Sequence, residues 1–100
     1  MKTSEFITKA LNNFKRYKWI KGRRSDALAS PNGGCCLLGM TDKVKGRKEH
    51  EQQEVFRLVR AITGAYSIAE WNDKPERTRQ EVMGALKVAR ELAIKQELGE

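Results

Sequence analysis

The sequence predicts an all-α fold, a small single-domain bundle of about four helices plus a short helical turn, and three observations carry that prediction. Apolar residues recur at i, i+3, i+4 and i+7 through most of the chain, and no alternating run of five or more residues marks a strand. The two prolines, Pro31 and Pro75, both fall between periodic segments. With 100 residues and 39% hydrophobic content the chain can enclose one modest core, so residues 1–100 read as a single helical domain.

The first helix is expected over about residues 3–17. Phe6, Ile7, Ala10, Leu11, Phe14 and Tyr17 share one apolar stripe there, with Lys9, Asn13 and Arg16 turned outward. Trp19 and Ile20 then lead to Gly22, expected as a helix exit, and to a loop of Arg23, Arg24, Ser25 and Asp26. Ser30-Pro31-Asn32-Gly33-Gly34 has turn chemistry, because Pro presets φ and Asn-Gly tolerates positive φ; it allows a tiny hairpin within residues 27–36. Cys36, Leu37, Leu38 and Met40 begin a short apolar helix that ends near Lys43 to Gly46. The third helix is expected from Glu49 to Thr63, with Val55, Phe56, Val59 and Ile62 on one face and Gly64 at its C-terminal cap. Ser67-x-x-Glu70 and Thr78-x-x-Glu81 are capping-box signatures, the first opening a short turn and the second a long helix. Phe6, Leu11, Phe14, Leu37, Phe56, Val59, Ile62, Trp71, Val82 and Leu86 form the expected core.

The net charge of +7 is local. Residues 1–24 hold eight Lys or Arg against the single acid Glu5, while the remaining residues balance at twelve basic and twelve acidic. A second basic cluster, Lys43, Lys45, Arg47 and Lys48, lies beyond the first loop. Local positive potential attracts phosphates and acidic surfaces, whereas scattered lysines on solvated helices merely keep a small protein soluble. No apolar run approaches the length of a membrane span, and the N-terminal stretch is too often interrupted by polar residues to form a signal peptide. A cytoplasmic protein is therefore expected. Cys35 and Cys36 are adjacent, which excludes a disulfide framework.

Trp19-x-x-Gly22, Cys36-Leu37-Leu38-Gly39 and Trp71-Asn72-Asp73-x-x-x-Arg77-Thr78 occur in that order. Together they resemble an uncharacterised family of small bacterial and bacteriophage proteins, a domain of unknown function. The resemblance spans about residues 5–95 and implies a small helical domain with a phage or mobile-element origin. It implies no catalytic residue, cofactor or partner. The chain departs from the family pattern at Gly39-Met40-Thr41, and the basic character of residues 1–24 lies outside that pattern.

The leading binding candidate is the run Lys15, Arg16, Tyr17, Lys18, Trp19, Lys21, Arg23 and Arg24, helped by Lys43, Lys45, Arg47 and Lys48. Cations for phosphates are interleaved there with two aromatics able to stack on bases, although Tyr17 and Trp19 serve equally to close the core. A second candidate is a ligand pocket near Cys36, Trp71, Asn72 and Asp73. Cys36 follows two glycines and a cysteine at a helix start, where exposed amides lower a thiol pKa, but its apolar neighbours favour a buried side chain. Trp71 with Asn72 and Asp73 can stack on and hydrogen-bond a planar ligand; alternatively the indole plugs the core while the polar pair holds a turn. One distant histidine, His50, and two adjacent thiols offer neither a catalytic pair nor metal-ligand spacing. No enzyme, cofactor or metal is expected. The expected function is docking of an anionic partner, DNA or RNA first, through the basic N-terminal region. The alternatives are an acidic host-protein surface, or a small anionic ligand in a pocket near Cys36 and Trp71.

Overall fold

The computed structural model describes residues 1–25 and 33–99. Helix α1 (Thr3–Arg16) leads into β1 (Lys18–Trp19); β2 (Gly34–Cys35) is followed by α2 (Leu37–Asp42), α3 (Glu49–Thr63), α4 (Ile68–Asp73) and α5 (Arg79–Glu97). This is the expected all-α architecture, with α4 as the short turn. Among the described residues, no helix is long and apolar enough to cross a membrane.

The stripe on α1 is buried as Phe6, Ile7, Ala10, Leu11 and Phe14, and it packs most extensively against α5, with further contacts to α2 and α3. Val55, Phe56, Leu58 and Val59 of α3, together with Val82, Leu86, Ala89 and Ala93 of α5, complete the core, which Cys35, Leu37, Met40 and Val44 extend. Burying each of the larger apolar side chains contributes about 1.5–3 kcal/mol. Of the expected core, Ile62 and Trp71 are only half-buried and pack on its edge.

The helix ends follow local chemistry. Ser67 Oγ accepts from Glu70 N at 3.2 Å, while the Thr78–Glu81 pair forms the reciprocal box that opens α5. Gly64 closes α3 with φ of 70°.

Three details differ from the sequence expectation. Asn13 is buried rather than outward, because its Nδ2 donates to Met40 O at 2.8 Å. A six-residue helix leaves its last carbonyls without intrahelical donors, and Asn13 supplies one from a neighbouring element. Gly22 is not a helix exit: α1 ends at Arg16, Tyr17 is already extended, and β1 pairs in parallel with β2 through Lys18↔Gly34 and Trp19↔Cys35. The expected hairpin falls largely on residues 27–32, outside the described residues; Cys35 itself bridges to Ser25, and Cys36 N donates to Arg24 O at 3.1 Å.

Close approach at this junction requires glycine. A Cβ on Gly39 would collide with the Arg24 carbonyl oxygen, and one on Gly34 would lie 2.6 Å from Lys18 O and inside Ile20. The Gly34 and Gly39 positions thus let the extended segments lie flat against the start of α2.

Candidate functional site

The polar face of α1 and the loop after α2 enclose a cleft of about 260 Å³ lined by Lys9, Asn12, Asn13, Arg16, Lys43, Val44 and Lys45. Among the described residues, four cations and two amides line it and no carboxylate does. Helical spacing aligns residues 9, 12, 13 and 16 on one face, and the Asn13–Met40 hydrogen bond fastens that face to α2. Lys43 is the residue that ends α2, so the same junction delivers Lys43 and Lys45 opposite α1. Tyr17 sits between the two sides, its ring centroid 6.0 Å from the Arg16 guanidinium and 5.8 Å from the Lys43 ammonium. The two basic clusters, far apart in sequence, converge at this ring.

The other expected basic residues do not join the cleft. Arg24 is held bidentately by Asp42, with Nη2–Oδ1 at 2.9 Å and Nε on Oδ2. Burial pushes the Asp42 carboxyl up, but hydrogen bonds from Arg24 and Gln52 and the Arg24 charge outweigh it and hold the group below its ordinary value. Lys21 Nζ donates to Lys74 O at 2.6 Å and Pro75 O at 2.9 Å and lies 5.4 Å from the Trp19 ring centroid. Arg47 donates to Asp42 O and to Gln52 Oε1. Lys48 precedes α3, where its backbone N–H donates to Glu51 Oε1 at 3.1 Å. Lys15, Lys18 and Arg23 are exposed, without an ion pair among the described residues. The run Lys15–Arg24 is therefore divided: Arg16 serves the cleft, while Lys21 and Arg24 fasten the fold.

Trp19 is half-buried, and its Nε1 donates to Asn72 Oδ1 at 2.7 Å, so the indole is a structural contact. Asn72 is fully buried and uses every hydrogen-bonding position it has. Its Oδ1 also accepts from Leu37 N at 3.2 Å, and its Nδ2 donates to Ile20 O at 3.1 Å and Asp73 Oδ1 at 2.9 Å. Asp73 Oδ1 accepts from Gly22 N at 3.0 Å. The expected pocket of Cys36, Trp71, Asn72 and Asp73 is consequently split. Cys36 and Asp73 line a cavity of only about 120 Å³ with Gly22, Arg23, Arg24 and Leu38. Trp71 instead lines a separate polar groove of about 520 Å³, where the Arg77 guanidinium lies 4.0 Å from its ring centroid and Arg77 Nε donates to Trp71 O at 2.9 Å. Burial raises the Cys36 thiol pKa and outweighs the lowering by the Gly39 and Leu38 amides, which opposes a thiolate nucleophile. Among the described residues, no three His, Cys, Asp or Glu converge to hold a metal ion.

Sequence reasoning missed Lys9 and Asn12 as site residues. Their signal is the polar spacing 9, 12, 13, 16, which follows the same i, i+3, i+4, i+7 rule as the apolar stripe.

No curated protein and no solved structure matches the chain. The model for a family of unknown function (DUF6197) matches residues 1–92, and the chain belongs to that family.

Proposed function

We propose that this chain is a small non-enzymatic binding protein of the cytoplasm that docks a nucleic acid through the cleft between α1 and the α2–α3 loop. The observation that carries this reading is the convergence of Lys9, Arg16, Lys43 and Lys45 on one concavity that no carboxylate lines among the described residues. Such a site gains from each phosphate it neutralises, because condensed counterions are released. The family resemblance extends the reading to accessory proteins of phage or mobile elements. An acidic host-protein surface would meet the same cations and is the rival that the test must separate.

Binding to DNA or RNA should fall with rising salt, because each phosphate neutralised releases condensed counterions and adds about −0.9 to the log–log slope on duplex DNA. Lys9→Gln/Lys45→Gln should weaken binding uniformly across sequences and make that slope shallower by about 2. Fluorescence anisotropy across a salt series reads both. Absence of binding to duplex and single strands at low salt, together with one stoichiometric acidic protein recovered from nuclease-treated host lysate, would overturn the nucleic-acid reading in favour of the rival.

A further inference from the structure

Resting on the nucleic-acid reading above, we propose that the cleft holds the phosphorylated end of a strand, a phosphomonoester, in preference to an internal stretch of diester backbone. Charge density decides between them. At about 260 Å³ the cleft lies below the roughly 300–1,000 Å³ of pockets that enclose whole drug-sized ligands, so it takes up the terminal group of a strand rather than a length of duplex. Two phosphodiesters would bring two negative charges to four cations. A phosphomonoester brings about −1.5 to −2 on one phosphorus, with three strong acceptor oxygens for cations converging from several directions. The donors come from two sides: Lys9, Asn12 and Arg16 from α1, Lys43 and Lys45 from the loop.

The neighbouring aromatic supports recognition of phosphate rather than base. Tyr17 already has Arg16 and Lys43 within about 6 Å of its ring centroid. It steadies those two cations beside the cleft, whose lining its ring does not join. Asn13, fastened to Met40 O, is likewise a fixed floor. Binding should therefore depend on the strand end and be indifferent to sequence.

The charged groups facing the bound phosphate would be Lys9 and Arg16 of α1 and Lys43 and Lys45 of the loop. His50, on the first turn of α3, is not part of the lining. A phosphomonoester itself changes charge near pH 6, at its second ionisation.

The test compares one short fluorescent single strand carrying either a 5′-phosphate or a 5′-hydroxyl, at matched ionic strength, using the full chain. We expect the phosphorylated end to bind at least about tenfold tighter. The preference should shrink as the pH falls through the second phosphate pKa, about 6. It should disappear in Lys9→Gln/Lys45→Gln, whose fold is checked by circular dichroism. Equal affinity for the two ends, with a steep salt dependence, would overturn the strand-end assignment and leave the nucleic-acid reading standing. No binding of either strand would overturn both. Competition by a phosphoserine peptide as effective as that by the phosphorylated strand would overturn the assignment to a strand end in favour of a phosphoprotein.

Discussion

At Asn72 one side chain ties α4 to the β1 segment and to the start of α2. Its two amide atoms satisfy the Trp19 indole N–H, the Leu37 backbone N–H, the Ile20 carbonyl and one Asp73 oxygen, all from a position with no solvent exposure. Leaving a buried polar group without a partner costs about 1–3 kcal/mol, so Asn72→Ala strands several at once and should destabilise the chain by about 3–5 kcal/mol. Asn72→Asp keeps the acceptor but loses both donors and places a second carboxylate beside Asp73, so it should not restore stability. Trp19→Phe removes one hydrogen bond and some packing, and should cost less than Asn72→Ala. Urea denaturation of the three variants gives the order; an Asn72→Ala loss below about 1 kcal/mol would mean the network does not hold this junction. The same geometry explains why Trp19-x-x-Gly22 and Trp71-Asn72-Asp73 belong together: Asn72 binds Trp19, and Asp73 binds the amide of Gly22.

Elements that carry their own start and stop chemistry are the ones legible in the sequence. α3 ends at Gly64 and α5 opens at the Thr78–Glu81 box, both as local patterns dictate, and the apolar stripe of α1 is buried almost as its spacing predicts. The paired strands β1 and β2 are two residues each and meet across a long sequence gap, so no local periodicity announces them. The inward turn of Asn13 is equally non-local, because its cause is an unpaired carbonyl on α2. Three of the four cleft cations, Arg16, Lys43 and Lys45, stand in basic clusters along the sequence; Lys9 does not, and only the helical turn brings it beside Arg16. α2, too short to be stable alone, is fixed from outside, and Asp42 at its end ties it to Arg24 and to Gln52 of α3. The Asp42 carboxyl titrates below its ordinary value in the folded chain, so its contribution is complete above the unfolded pKa of about 3.9 and is lost as pH falls through the lower folded value. Because Arg24 is half-exposed, that contribution is about 1 kcal/mol at most. Asp42→Asn should therefore be less stable than the parent at neutral pH, with the deficit shrinking in the acid range below about pH 4. Denaturation midpoints measured along a pH series check it; a deficit that persists unchanged into acid would assign the loss to packing rather than to charge.

Across the whole molecule, the net charge of +7 has two destinations that composition does not separate. Some cations stabilise the fold directly: Arg24 on Asp42, Lys21 on the carbonyls after α4, and Arg79 on Phe14 O at 3.0 Å. Among the described residues no carboxylate lines the small space that Lys9, Arg16, Lys43 and Lys45 share, and only Arg16 and Lys43 have the Tyr17 ring beside them. Like charges held together in this way oppose the folded state until an anion arrives. A multivalent phosphate should then raise the melting temperature by linkage, adding about 2.7 kcal/mol at a hundredfold excess over its dissociation constant. For a domain of this size that corresponds to an increase of about 10 °C or more. Inorganic tripolyphosphate is a suitable probe, compared with sodium chloride at equal ionic strength. Lys9→Gln/Lys45→Gln should melt higher than the parent at low salt, because repulsion is relieved, and should lose most of the tripolyphosphate response. If chloride at matched ionic strength stabilises the parent as much as tripolyphosphate does, the effect is general screening of a basic protein, and the cleft has no particular hold on phosphate.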